Sequence, residues 1–197
     1  IFEEVKSNGY PVVMTGLNHQ SGTDRIAEVA SNRKESWILN VQGDEPFLDP
    51  QMLDNFLIEF HSRASDCEVG TLACPIISAE ECFDPNTVKV VLRHDRRALY
   101  FSRSAIPHDR EKLQNFKHCY RHLGVYLYNR EILLNFSRLP ISNLERIEKL
   151  EQLRLLQAGH DLFVHLVDEA SFGVDTPEDL QLAEAYFQKS RVNKGSI

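Results

Sequence analysis

Cysteine is scarce in this chain of 197 residues, with four at positions 67, 74, 82 and 119 and no CxxC spacing among them. That is too few for a disulfide framework at this length, so a reducing cytoplasm is the expected compartment. No apolar run approaches the roughly 18 residues of a membrane span, which excludes a membrane-spanning helix from the sequence given. Basic charge is also short: 22 Lys and Arg stand against 29 Asp and Glu, a formal charge of -7. A protein that wraps a nucleic-acid duplex clusters its cations against phosphates, so that class is excluded, whereas a mononucleotide needs only a few local donors. Repeats, low-complexity tracts and linker-like stretches are lacking, and the chain is expected to form one domain over residues 1–197. It opens on Ile1 in what reads as the middle of a fold, with no signal-peptide pattern, so the true N-terminus is expected upstream.

What is present is an alternation of strands and helices. Ile1, Phe2 and Val5 before Gly9 predict the tail of a helix, and Tyr10 to Thr15 an apolar strand. A polar loop at 16–22, a helix over 23–30 and a buried strand over 36–41 follow. Asp49 as cap with Pro50 in the first turn opens a helix whose Leu53, Phe56, Leu57 and Phe60 share one face. Residues 69–76 read as a strand, Ser78 with Glu81 as a capping box, and 88–92 with 98–103 as a hairpin around a polar turn. Residues 120–128 are strand-like, Ser142 and Glu145 open a helix over 143–158, 163–167 is a strand, and Pro177 starts a last helix. The fold class expected is α/β, with a mixed, mostly parallel sheet and a hairpin excursion. Ligands of such sheets bind beyond the carboxyl ends of strands, which directs attention to the loops after Thr15, Val41 and Val167.

Three of these places carry chemistry-bearing residues. The loop Asn40-Val41-Gln42-Gly43-Asp44-Glu45-Pro46 puts acids directly beyond a buried strand, where hard carboxylate oxygens suit magnesium. The same residues also suit an ordinary turn. Asp175, in Gly173-Val174-Asp175-Thr176-Pro177, stands in matching circumstances between strand and helix, and is equally readable as an N-terminal helix charge. His19-Gln20-Ser21-Gly22-Thr23-Asp24-Arg25 lies where a helix N-terminus can hold an anion or a base edge, yet it lacks the lysine of a P-loop and also fits a plain Ser/Thr cap. On the strand at 120–128 the period of two places His122, Gly124 and Tyr126 on one face, either lining a sugar pocket or facing water. On the helix after Ser142, Leu144, Ile147, Leu150 and Leu153 approximate a core stripe. Glu145 and Lys149 suit a surface pair, and Glu148, Glu151 and Gln152 a solvated face.

Taken in order, HQSGTDR, NVQGDEP, VKVVL, ALYFSRSAIPHDR, YRHLGVY, LERIEKLEQLR and GVDTPEDL resemble the 3-deoxy-manno-octulosonate cytidylyltransferases, from about Val12 to Leu182. The resemblance implies a Rossmann-like nucleotidyltransferase fold, a homodimer, and transfer of CMP from CTP to 3-deoxy-manno-octulosonate (Kdo) with release of pyrophosphate, for lipopolysaccharide assembly. It implies that Asp44 and Asp175 hold Mg2+ and that Ser21, Gly22, Thr23 and Gly43 serve the nucleotide. It further implies that Gln42, Arg103, His122, Tyr126, Glu151 and Gln152 form the sugar pocket, with the planar fork of Arg103 taking the sugar carboxylate and serving catalysis. Residues 88–128 are expected to be a sugar-binding and dimerisation subregion. The family's PAR…RLPGK stretch, which grips the triphosphate, has no counterpart here, so a missing portion the size of a βαβ unit, roughly forty to fifty residues, is expected. The alternatives are another acidic sugar acceptor, 8-amino-Kdo or a sialic acid, or a non-catalytic binding remnant.

Overall fold

The structure is a computed structural model that describes residues 1–19, 21–43, 45–64, 66–111, 116, 118–169, 173–174 and 177–194, the side chains of 178 and 188–194 excepted. In chain order the elements are α1 (Phe2–Ser7), α2 (Gly22–Ser31), β1 (Trp37–Asn40), α3 (Pro50–Arg63), β2 (Val69–Pro75), α4 (Ala79–Phe83), β3 (Lys89–Leu92), β4 (Ala98–Ser102), β5 (Tyr120–Asn129), α5 (Arg130–Phe136), α6 (Asn143–Glu148), α7 (Gln152–Gln157), β6 (Leu162–Leu166) and α8 (Pro177–Lys194). Helix starts follow local chemistry. Ser21, Asp49, Ser78, Asn129 and Ser142 each accept a backbone N–H of the first turn that would otherwise lack a partner.

The sheet runs β4-β3-β5-β2-β6, with β1 also paired to β5. The α/β class stands, but the expectation of a mostly parallel sheet is corrected: among the described residues only β2 with β6 is parallel. The reason is β5, a ten-residue strand that runs against β1, β2 and β3 at once. The β3–β4 hairpin adds another antiparallel pair. Residues 10–15, expected as a strand, form none, and Tyr10, Val13 and Met14 are exposed. An extended run becomes a strand only by pairing its backbone groups, and no described strand pairs with this one.

Each face of the sheet carries a core. Val69, Ala73, Tyr126 and Tyr128 face Ala27 and Ala30 of α2, Leu133 and Phe136 of α5, and Leu153 and Leu155 of α7. On the other face Leu72, Cys74, Leu123, Val125, Leu127 and Phe163 meet Phe56 and Phe60 of α3. The seat of α3 is Gly70, where a Cβ would lie 2.7 Å from the Phe60 ring and 2.9 Å from that of Phe56. The four cysteines are buried and free.

The expected continuous helix over 143–158 is broken. Helices α6 and α7 are separated by a break that begins at Lys149, which takes a left-handed conformation with φ of 56°. Glu145 therefore does not serve as the surface partner of Lys149. It is buried, closes the capping box with Ser142, and grips Arg154 of α7 through Nη2 at 2.5 Å and Nε at 2.8 Å. Ile147, expected in the core stripe, is exposed, since the short α6 turns that face outward.

Candidate active site

The site grows from an interruption in the sheet. Along one edge of β5, β3 pairs with Tyr120 and Arg121, the Val88 carbonyl accepts the His122 N–H at 2.8 Å and β1 pairs with residues 126–129, so no described strand covers 123–125 on that side. On the opposite edge β2 changes register between Thr71 and Leu72, whose partners are Tyr126 and Leu123, and Gly124 and Val125 bulge out of the ladder. The carbonyls this frees on the protein side are met by Thr71, fully buried, with its Oγ1 2.7 Å from the Val125 oxygen and 3.4 Å from that of Leu123.

The gap opens a cavity of about 250 Å³ lined by Gly22 and Thr23 of α2, Asn40 and Gln42 at the end of β1, Val88, alternate residues His122, Gly124, Tyr126 and Tyr128 of β5, and Lys149 to Gln152 at the α6–α7 break. Seven of the site residues that the resemblance implies, Gly22, Thr23, Gln42, His122, Tyr126, Glu151 and Gln152, are thus brought to one place. Thr23 Oγ1 donates to Glu151 Oε2 at 2.6 Å, tying the start of α2 to the start of α7. A Cβ on Gly22 would meet nothing among the described residues within 4 Å, which leaves space beside it for a ligand. Gly124 is closely approached, by the Gln42 side chain at 3.2 Å from where its Cβ would sit, and any larger residue would displace Gln42.

Electrostatically the back of the cavity is set by His122, Tyr126 and Tyr128. His122 touches the cavity with part of its surface, but its ring is enclosed by Phe101 and Tyr126, and Nε2 lies 2.9 Å from Thr71 Oγ1. Burial pushes its pKa down to about 3, so the ring is neutral at pH 7. Tyr126 and Tyr128 stack with their planes 17° apart. Burial raises both phenols well above their ordinary range, and Glu151 pushes the same way, so both remain protonated donors.

Arg103, also expected in the sugar pocket, does not line this cavity. Nε donates to the Glu148 carbonyl at 2.8 Å and Nη1 to the Pro85 carbonyl at 2.9 Å. The reason is Glu148, whose carboxylate also collects Ser102 Oγ at 2.7 Å and the Arg103 backbone N–H at 2.9 Å, drawing the arginine onto the end of α6. Ser21 caps α2 and lines a neighbouring cavity of about 560 Å³ that shares Lys149 and Glu151 with the first. Gly43 is exposed in the turn after β1. Asp44 and Asp175, the expected metal ligands, lie outside the described residues.

Reading the sequence missed Thr71 and gave Glu148 and Lys149 only surface roles. Tyr128 had a signal, since it extends the alternation of His122, Gly124 and Tyr126. A threonine inside an apolar strand, or a helix break without glycine or proline, carries no local mark.

Against known proteins, residues 1–162 match the family model described as cytidylyltransferase. The chain is 46% identical to the 3-deoxy-manno-octulosonate cytidylyltransferase of Thermodesulfovibrio yellowstonii, covering 93% of this chain and 76% of that protein. With the enzyme of the same name from Solibacter usitatus the identity is 44%, over 96% and 75%. Among solved structures, a CMP:2-keto-3-deoxy-manno-octonic acid synthetase complexed with CTP superposes with a TM-score of 0.87 at 38% identity, covering 95% of this chain and 76% of that one. The 4-diphosphocytidyl-2C-methyl-D-erythritol synthase of Anaerococcus prevotii, at 12% identity and a TM-score of 0.61, shares the fold alone. A nucleotidyltransferase sheet with its strand-gap cavity, joined to identities above 40% across more than nine-tenths of the residues, makes this chain a member of the 3-deoxy-manno-octulosonate cytidylyltransferase family.

Proposed function

We infer that the chain transfers CMP from CTP to Kdo and releases pyrophosphate, supplying the activated sugar for lipopolysaccharide assembly. The observation that carries this reading is the single cavity in which Gly22 and Thr23 meet Gln42, His122, Tyr126, Glu151 and Gln152. A helix N-terminus suits the nucleotide, and the two tyrosines, the histidine, a carboxylate and two amides suit the dense hydroxyls of an acidic sugar.

The chemical problem is repulsion, because attack of the anomeric hydroxyl on the α-phosphate brings two anions together. This chain contributes by alignment and exclusion of water. The α2 N-terminus presents its N–H groups and positive dipole end at the cavity wall, and stacked Tyr126 and Tyr128 form an apolar back. Glu151, held by Thr23, accepts from sugar hydroxyls, and Gln152 offers both donor and acceptor. Arg103 acts through the backbone it holds, since its hydrogen bond to the Pro85 carbonyl steadies the segment that ends at Val88 on the cavity wall.

Magnesium belongs to the same reading, with Asp44 and Asp175 as the residues to hold it. The donor set fits, being hard carboxylate oxygens. So does the chain path: Gln42, two residues before Asp44, lines the cavity, and Phe47, three residues after it, packs on Tyr186 of α8, the helix that Asp175 precedes, at 4.9 Å between rings. When bound, the ion would draw negative charge off the phosphate oxygens. A homodimer in the cytoplasm completes the proposal. No described helix is long and apolar enough to cross a membrane.

Pyrophosphate release measured with CTP, magnesium and Kdo, 8-amino-Kdo or sialic acid in parallel tests the reading, and turnover with Kdo above the other two is expected. Preference for either alternative would move the acceptor assignment. Asp44→Asn is expected to cut turnover about a hundredfold or more with the fold retained, as judged by circular dichroism. Unchanged turnover at limiting magnesium would remove Asp44 from the metal site.

A further inference from the structure

The Thr71 hydroxyl has one proton and three neighbours, the Val125 carbonyl at 2.7 Å, His122 Nε2 at 2.9 Å and the Leu123 carbonyl at 3.4 Å. Two oxygens 2.7 Å apart in a buried site need a hydrogen between them, and a carbonyl has none to give. The Thr71 proton is therefore committed to Val125, and its oxygen is left as an acceptor towards His122. Only a protonated Nε2 can satisfy that arrangement. The opposite assignment, with Thr71 donating to the ring, would set two buried lone pairs against each other at the bulge.

We propose that Thr71 is a positioning residue that fixes His122 in the Nε2–H form and so leaves Nδ1 as a hydrogen-bond acceptor for a hydroxyl of the sugar. The proposal rests on the reading of this cavity as the sugar site and deepens it. A ring held this way rejects a carboxylate, which brings no proton to an acceptor, and selects an O–H group at that position. The bulge at Gly124 and Val125 and the selectivity of His122 are then two consequences of one buried hydroxyl. The neutral ring that burial enforces is compatible with this, because an imidazolium would offer donors at both nitrogens.

Nitrogen-15 spectra of histidine-labelled protein, with the His122 signals assigned by their loss in His122→Gln, test the tautomer without any assay of activity. The expected pattern is a protonated Nε2 and a bare Nδ1 in the unaltered chain and in Thr71→Ser, and its loss in Thr71→Val. A protonated Nδ1 in the unaltered chain, or an unchanged pattern in Thr71→Val, overturns the proposal. In steady-state assays Thr71→Val is expected to raise KM for the sugar about tenfold, with KM for CTP and kcat within about twofold, and Thr71→Ser to restore it. Equal losses in both KM values and kcat, or no change, would show a purely structural hydroxyl and overturn the proposal. If Thr71→Val does not fold, the unaltered chain and Thr71→Ser still decide the tautomer. If the tautomer is as stated but Kdo is not turned over, the acceptor reading fails and the Thr71–His122 pairing does not.

Discussion

At the residue scale the site depends on groups held in the protonation state that burial prefers. His122 illustrates the consequence for stability. In the unfolded chain it takes up a proton near its ordinary value of about 6.5, whereas in the fold it resists until about 3. Between those limits the unfolded chain binds more protons, so stability is fully present above the upper limit and falls as pH drops through the window. The slope from this group approaches about 1.4 kcal/mol per pH unit. Urea unfolding between pH 7 and pH 4 is expected to show a shallower loss of stability for His122→Gln, which keeps a donor for Thr71 and cannot titrate there, than for the unaltered chain. Parallel curves would mean that the ring takes up its proton in the fold as readily as in water. The alternation His122, Gly124, Tyr126 was legible from strand period alone, because side chains of a strand alternate wherever it pairs. Thr71 was not, because a buried hydroxyl is indistinguishable in sequence from a strand threonine facing water.

At the element scale the decisive feature is the break between α6 and α7. It turns one helix into two short ones and lets Lys149, Leu150, Glu151 and Gln152 face the cavity. Six-residue helices have little stability of their own, so the pair must be held by tertiary contacts. Glu145 and Arg154 supply one, a two-pronged ion pair of largely buried side chains on the wall of the neighbouring cavity, with the guanidinium also 4.2 Å from the centre of the Phe136 ring. Breaking one partner of such a pair leaves an uncompensated charge, so Glu145→Gln is expected to lower stability by about 3 kcal/mol in chemical unfolding. A loss within a few tenths of a kcal/mol would show that water reaches the pair. The capping box at Ser142 was readable, since its four residues are contiguous. The break was not, because the preference for Arg154 over a surface lysine is decided nine positions away.

At the scale of the whole molecule the cavity is assembled from segments far apart in the chain, from Gly22 to Gln152, with Thr23 meeting Glu151 across 128 positions. A site built that way couples binding to folding. Saturating CTP with magnesium, at about a hundred times Kd, is expected to stabilise the fold by about 2.7 kcal/mol, and chelation of the metal to remove most of that gain. A thermal midpoint unmoved by CTP would deny nucleotide binding to this chain. The sequence by itself determined the helix caps, the β3–β4 hairpin, the alternation along β5 and, through its ordered motifs, the family, because each is written in residues close to one another along the chain. Only the tertiary structure decided the antiparallel majority of the sheet, the gap along β5, the break at Lys149, the hydrogen bonds of Arg103 to Glu148 and Pro85, and the pairing of Thr71 with His122. Those depend on which distant backbone groups and buried charges find one another, and a buried polar group must take whatever partner the packing brings within reach.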